Sequence, residues 1–177
     1  MTSNARAGDR LLGSLRSAEG KGAVRIEDRL DVPVGEVWSA LTDPGRLASW
    51  LGEVDGDLRL GGEFRARFFA SGWEGTGRVE VCEPPHRLLV LTRDADEPDK
   101  PAEHVIEVTL TTDGEHTVVA WEERPIPLDL LAAYGAGLQV HVEDLAAHLA
   151  GGERCDAAAR FEELFPAYQE ELAQARS

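Results

Sequence analysis

The stretch from Val32 to Trp50 constrains this chain more than any other, because it combines a strand exit, a short amphipathic helix and a second helix set off by proline. Pro33 stands where a first-turn proline is tolerated, and Val34, Val37, Trp38 and Leu41 recur at helical spacing. Thr42-Asp43-Pro44 stops that helix. Asp43 can cap the next one, whose Leu47, Trp50 and Leu51 again fall on one side.

Upstream, Glu19-Gly20-Lys21-Gly22 reads as a hairpin turn between Leu11 to Ser17 and a strand from Val24 to Val32, while residues 1 to about 9 are polar and expected to fray. In that strand Val24, Ile26, Leu30 and Val32 share one parity and the charged residues take the other, as a half-buried strand requires. Asp28 alone breaks the apolar row, either as a satisfied internal carboxylate or at a bulge. Downstream, strands are expected over Leu58 to Leu60, Glu63 to Ala70, Trp73 to Glu83, Leu88 to Arg93, His104 to Thr111 and Thr117 to Glu123. Gly61-Gly62, Ser71-Gly72, Pro84-Pro85 and Asp113-Gly114 punctuate them. The longest helical pattern runs from Leu128 to about Ala150 and ends at Gly151-Gly152; a last helix, about Cys155 to Ala175, carries Phe161, Leu164, Phe165, Tyr168 and Leu172 on one face.

The chain's 177 residues, 42% of them hydrophobic, suit one core. The divisions expected are 1–22, an N-terminal extension with a hairpin strand, 23–152, the main domain, and 153–177, a C-terminal helix. With 33 acidic against 18 basic residues the net charge is −15, which repels nucleic-acid phosphate and anionic membranes. No secretory h-region or membrane span is legible, so the expected location is cytoplasmic. Cys82 and Cys155 read as separate reduced thiols.

The helix pair resembles the opening of the helix-grip superfamily (SRPBCC, START-like, Bet v 1-like). More narrowly it resembles the branch named after the C-terminal domain of the activator of the heat-shock-protein-90 ATPase. Val32 to Trp50 match that branch's pattern apolar-Pro-x-x-x-Val-Trp/Phe-x-Ala-Leu/Trp-Thr-Asp/Glu-Pro-x-x-Leu-x-x-Trp. Gly77 to Leu88 resembles its strand ending in Val-x-x-Pro-x-x-Leu, and Tyr134 to Leu149 its long helix, so the likeness covers about residues 24 to 150. Where the family usually has Gly-Trp early in that helix, this chain has Gly137-Leu138. The resemblance implies an α+β fold, a curved antiparallel sheet wrapped on a long C-terminal helix.

On the long helix, Tyr134, Leu138, His141, Leu145 and His148 share a stripe. His141 is either a core histidine bonded to a strand group or the adjustable polar contact of an apolar pocket. Alternation gives Phe64, Ala66 and Phe68 one face, which the implied architecture turns inward, with Trp38, Trp73 and Trp121 within reach as core packing or as ligand platforms. The expected ligand-binding set is thus Trp38, Phe64, Phe68, Trp73, Trp121, Tyr134, Leu138, His141 and Leu145. His141 and His148 are about 10 Å apart along the helix, too far for one metal ion. Cys82 and His86 lack a second ligand pair, so neither a metal nor a cofactor is expected. Glu122-Glu123 and the acidic run from Asp94 to Asp99 read as solvated surface.

The expected activity is binding of a small hydrophobic molecule between the sheet and the long helix, by a monomer or homodimer. Two alternatives stand beside it. One is a polyketide cyclase or hydrolase-like enzyme using His141, Asp28 and Tyr134 in the same cavity; the other is a chaperone-associated or other protein-interaction module.

Overall fold

A computed structural model describes residues 11–175 of the protein. The fraying expected for residues 1 to about 9 lies outside them. Strands β1 (Gly13–Ala18) and β2 (Lys21–Leu30) form a hairpin whose two turn residues, Glu19 and Gly20, both have positive φ, 55° and 78°. That is the geometry which matches the natural twist of paired strands. Helices α1 (Val34–Thr42) and α2 (Pro44–Trp50) follow, and the Asp43 side chain accepts the Gly45 N–H at 2.9 Å, as a cap should.

Six more strands complete the sheet: β3 (Gly52–Gly56), β4 (Glu63–Phe68), β5 (Glu74–Glu83), β6 (Arg87–Asp94), β7 (His104–Asp113) and β8 (His116–Pro127). All pair antiparallel in the order β1-β2-β8-β7-β6-β5-β4-β3. The first hairpin therefore joins the last strand, and the helix pair bridges the two ends of the sheet. The strand expected at Leu58 to Leu60 is instead a loop, with Leu60 exposed, and β3 lies just upstream. Val54 is the only apolar side chain within β3, too little for a readable period.

A single 3-10 turn (Leu128–Leu130) leads into α3 (Leu131–Leu149), and α4 (Ala157–Ala175) packs on its outer side. Helix α3 is buried on both faces, by the sheet and by α4. Polar residues on its outer side are consequently paired inside the protein: the Gln139 Oε1 accepts from Leu12 N at 3.0 Å and from the Tyr168 hydroxyl at 2.6 Å. Glu143 receives both Gln139 Nε2 and the Arg160 guanidinium. The apolar stripe of α4 is thus covered by its own chain, with Leu164 and Tyr168 fully buried.

On the convex face of the sheet, Glu107 and Glu122 stand directly opposite each other across β7 and β8, a pairing that repels. Arginines on flanking positions offset it: Arg124 bridges both carboxylates at 3.1 Å, Arg16 reaches Glu122 at 2.9 Å, and Arg87 reaches Glu107 at 2.8 Å. Partial burial works against the Glu107 charge, but Arg87 and Arg124 prevail and hold its pKa below the usual carboxylate value.

Gly135 on α3 is where the α4 contact is tightest, since a Cβ there would sit 2.7 Å from Tyr168 Cδ1. Both neighbours are buried and neither can swing away. Gly135→Ala should cost about 1–3 kcal/mol in urea unfolding, and distinctly less in a Tyr168→Leu background.

Candidate functional site

The inward rows of the strands converge on a cavity of about 70 Å³ beneath α1 and α2. Phe64, Ala66 and Phe68 of β4, Val90 and Thr92 of β6, Ile106 and Val108 of β7 and Trp121 of β8 line its sheet side. Leu41, Leu47 and Leu51 close it from the helices. The lining is almost wholly apolar, and its volume is several times what one water requires. Gly77, opposite Phe64 in the sheet, leaves room for the Phe64 ring, which lies over it within 2.3 Å of where a Cβ would be.

No α3 side chain lines this space, so the cavity lies between the sheet and α1–α2 and not, as expected, between the sheet and the long helix. His141 of α3 is only 6% exposed and packs on two lining residues without itself lining the space. Its ring meets Phe68 edge-on at 5.4 Å and lies nearly parallel to Trp121 at 6.5 Å, both of them cavity residues. Its Nδ1 is buried without a hydrogen-bond partner among the described residues. Burial pushes its pKa down, only partly countered by the charges of Glu123 and Asp144, so the ring is neutral near pH 7. Asp144, 2% exposed, accepts the Cys155 N–H on Oδ1.

The other sequence-expected residues are distributed as follows. Phe64, Phe68 and Trp121 line the cavity, and Trp73 packs on Phe68 at 4.9 Å. Trp38 packs against the smaller apolar cluster of Val79, Leu88 and Val90, and Leu138 and Leu145 are buried in the main core rather than in the lining. Tyr134 lies farther along, its ring 5.8 Å from His104; burial first, then the charges of Glu123 and Asp94, raises its pKa.

Expecting both Glu122 and Glu123 to be solvated surface is incorrect. Glu122 is held in the arginine ladder, and Glu123 is 8% exposed on the concave side, where it receives Trp121 Nε1 at 3.2 Å and His104 Nε2 at 2.7 Å. Strand parity was the available signal, since Glu123 lies two residues after Trp121. His148, at the far end of α3, accepts from Arg46 Nε at 3.3 Å. It borders a broader, solvent-open depression of about 620 Å³ formed with Ser49 and Gly151 to Arg154. The cations there are engaged elsewhere, Arg46 by Glu36 and Arg154 over the Phe69 ring. Among the described residues no cluster of three metal-ligating side chains occurs, and no helix is long and apolar enough to cross a membrane.

A family model described as Activator of Hsp90 ATPase homolog 1-like protein matches residues 31–150. Among solved structures, CalU16 from Micromonospora echinospora is 28% identical, with 91% of this chain and 96% of that one covered and a TM-score of 0.71. DynU16, described as belonging to the dynemicin biosynthetic locus, is 30% identical with a TM-score of 0.66; the match takes in 76% of this chain and 50% of that one. The Aha1 dimer from Colwellia psychrerythraea, 18% identical with a TM-score of 0.63 over 72% of this chain and 95% of that one, shares the fold. No curated protein matches the chain.

Cys155 offers a direct check on the electrostatics behind the site. Partial burial, then the Asp144 charge, raises its thiol pKa to about 11. Although the residue is exposed, iodoacetamide at pH 8 should alkylate it about a hundredfold more slowly than a free cysteine, and Asp144→Asn should speed the reaction.

Proposed function

The chain belongs to the family of Activator of Hsp90 ATPase homolog 1-like proteins, and from that membership together with its apolar cavity we propose that it binds a small, largely hydrophobic molecule between sheet and helices. The observation that carries this reading is the almost wholly apolar space itself, with the neutral, buried His141 ring, unpartnered at Nδ1 among the described residues, packed on two of its lining residues, Phe68 and Trp121. A buried polar atom left unpaired costs about 1–3 kcal/mol, and a ligand hydroxyl or carbonyl meeting the imidazole offsets that cost. At about 70 Å³ the cavity is about half the volume of one that takes up a benzene ring, so even a ring-sized ligand must displace part of the wall. The biosynthetic locus of DynU16 favours a metabolite as the ligand class.

Native mass spectrometry of the purified protein tests the binding reading through a retained small molecule, and Ala66→Leu, which fills the lining from β4, should abolish retention without unfolding the protein. For a ligand so identified, His141→Leu should weaken binding by about 1–3 kcal/mol if it bears a carbonyl that reaches the ring. Undiminished affinity would count against the role given to His141.

The same ring predicts a pH dependence. Its folded pKa is depressed below the unfolded value of about 6.5, so in acid the unfolded chain binds the extra proton. The stability linked to the neutral ring is present above about pH 6.5 and declines below it. Wild type should lose more unfolding free energy than His141→Leu between about pH 7.5 and pH 5, measured by urea titration at each pH.

A further inference from the structure

The concave face changes character along three adjacent strands. On β7 the inward row runs Val108, Ile106, His104; on β6 it runs Val90, Thr92, Asp94; on β8 it passes from Trp121 to Glu123. Register places these rows side by side, with Ile106 opposite both Val90 and Glu123, and Thr92 opposite His104. The apolar members line the cavity, so its wall continues into a polar rim of Asp94, His104 and Glu123.

The rim is built. Thr92 donates its hydroxyl to the His104 carbonyl oxygen at 3.4 Å, and Trp73 Nε1 donates to Asp94 Oδ1 at 2.6 Å. Glu123 takes the Trp121 indole N–H on one oxygen and His104 Nε2 on the other. An indole nitrogen can only donate, and a carboxylate receiving on both oxygens assigns the imidazole proton to Nε2. His104 Nδ1 is then the ring nitrogen left to meet a ligand. It makes no hydrogen bond among the described residues. The side chain is 24% exposed, within reach of a ligand, and the Tyr134 ring stands 5.8 Å away as a second wall.

We propose that this rim recognises the polar end of the ligand, and that this end is a neutral hydroxyl of phenol or alcohol type donating to His104 Nδ1. The proposal rests on the cavity-binding reading above. A carboxylate is rejected, because Asp94 and Glu123 are the charged side chains on these three inward rows, while Arg93 and Arg124 have the opposite parity and bond to Lys100 O and to the convex-face glutamates. The −15 net charge of the chain acts in the same direction.

Three probes of matched shape decide it: 4-propylphenol, 4-propylanisole and 4-propylbenzoate, titrated calorimetrically into the full chain. The phenol should bind about tenfold more tightly than the anisole, and the benzoate most weakly. In His104→Phe the phenol should fall to the affinity of the anisole, which itself is unchanged. Equal affinities in wild type, a benzoate that binds as well as the phenol, or a phenol preference that survives in His104→Phe overturns the proposal while leaving the cavity reading in place. The last of these outcomes would assign the preference to His141. If 4-propylbenzylamine, as an ammonium probe, outbinds the phenol tenfold, the rim is a cation site and the proposal is wrong. Should none of the probes bind, the cavity reading fails and this one with it. Ring ¹⁵N shifts of His104 in the wild-type protein give a readout independent of any variant: an unprotonated Nδ1 supports the assignment, and a proton on it overturns it.

Discussion

The indole of Trp50 holds the two ends of this structure together. Its N–H donates to the Ala40 carbonyl oxygen at 2.9 Å, tying α2 to α1, and its ring meets Trp121 of β8 edge-on at 6.3 Å. Hydrogen bond and ring contact are both buried, where an unpaired indole N–H would be costly. The helix pair therefore cannot drift from the sheet without exposing Trp50 and orphaning its donor. The cavity exists in the angle this anchor enforces: Leu41, Leu47 and Leu51 are held over the sheet, and Trp121, which Trp50 steadies, forms the wall between the apolar space and the Glu123 side chain.

The polar groups around Trp121 divide the site into two depths. His141 lies over its face inside the protein, in surroundings that keep the ring neutral. His104 lies beyond its edge, joined through Glu123. A side chain often counted only as core mass thus separates two imidazoles of different accessibility. The identities of the two neighbouring glutamates on β8 follow from the same alternation. Glu122 belongs to the solvent-side arginine ladder and Glu123 to the interior, so one residue of register decides whether a carboxylate supports the sheet or faces the site.

Much of this fold was legible in the sequence because its main signals are local. Pro33, Asp43 and Pro44 set helix ends, and parity in Val24 to Leu30 sets a buried face. The misplaced strand at Leu58 to Leu60 shows where that logic stops, since a five-residue strand with one apolar side chain has no period to read. The candidate site was legible only in part. Phe64, Phe68 and Trp121 stand out as aromatics, but Leu41, Val90, Thr92 and Ile106 line the cavity beside them and look in sequence like any core residue. Which apolar side chains face unfilled space depends on how facing elements mismatch in three dimensions. Glu123 is hard to read for a different reason: two adjacent acids look like one solvated patch, whereas strand parity assigns them to opposite faces.

Helix α3 has a property that follows from being buried on both sides. Its inner face carries His141 against the cavity wall, and its outer face is keyed to α4 where Tyr168 fills the notch at Gly135 and bonds to Gln139. A rod clamped this way has no slack. The cavity wall and the C-terminal helix are separated by a single helix diameter, and α3 cannot shift toward either side without disturbing packing on the other. The C-terminal helix is therefore a mechanical support as well as a cover.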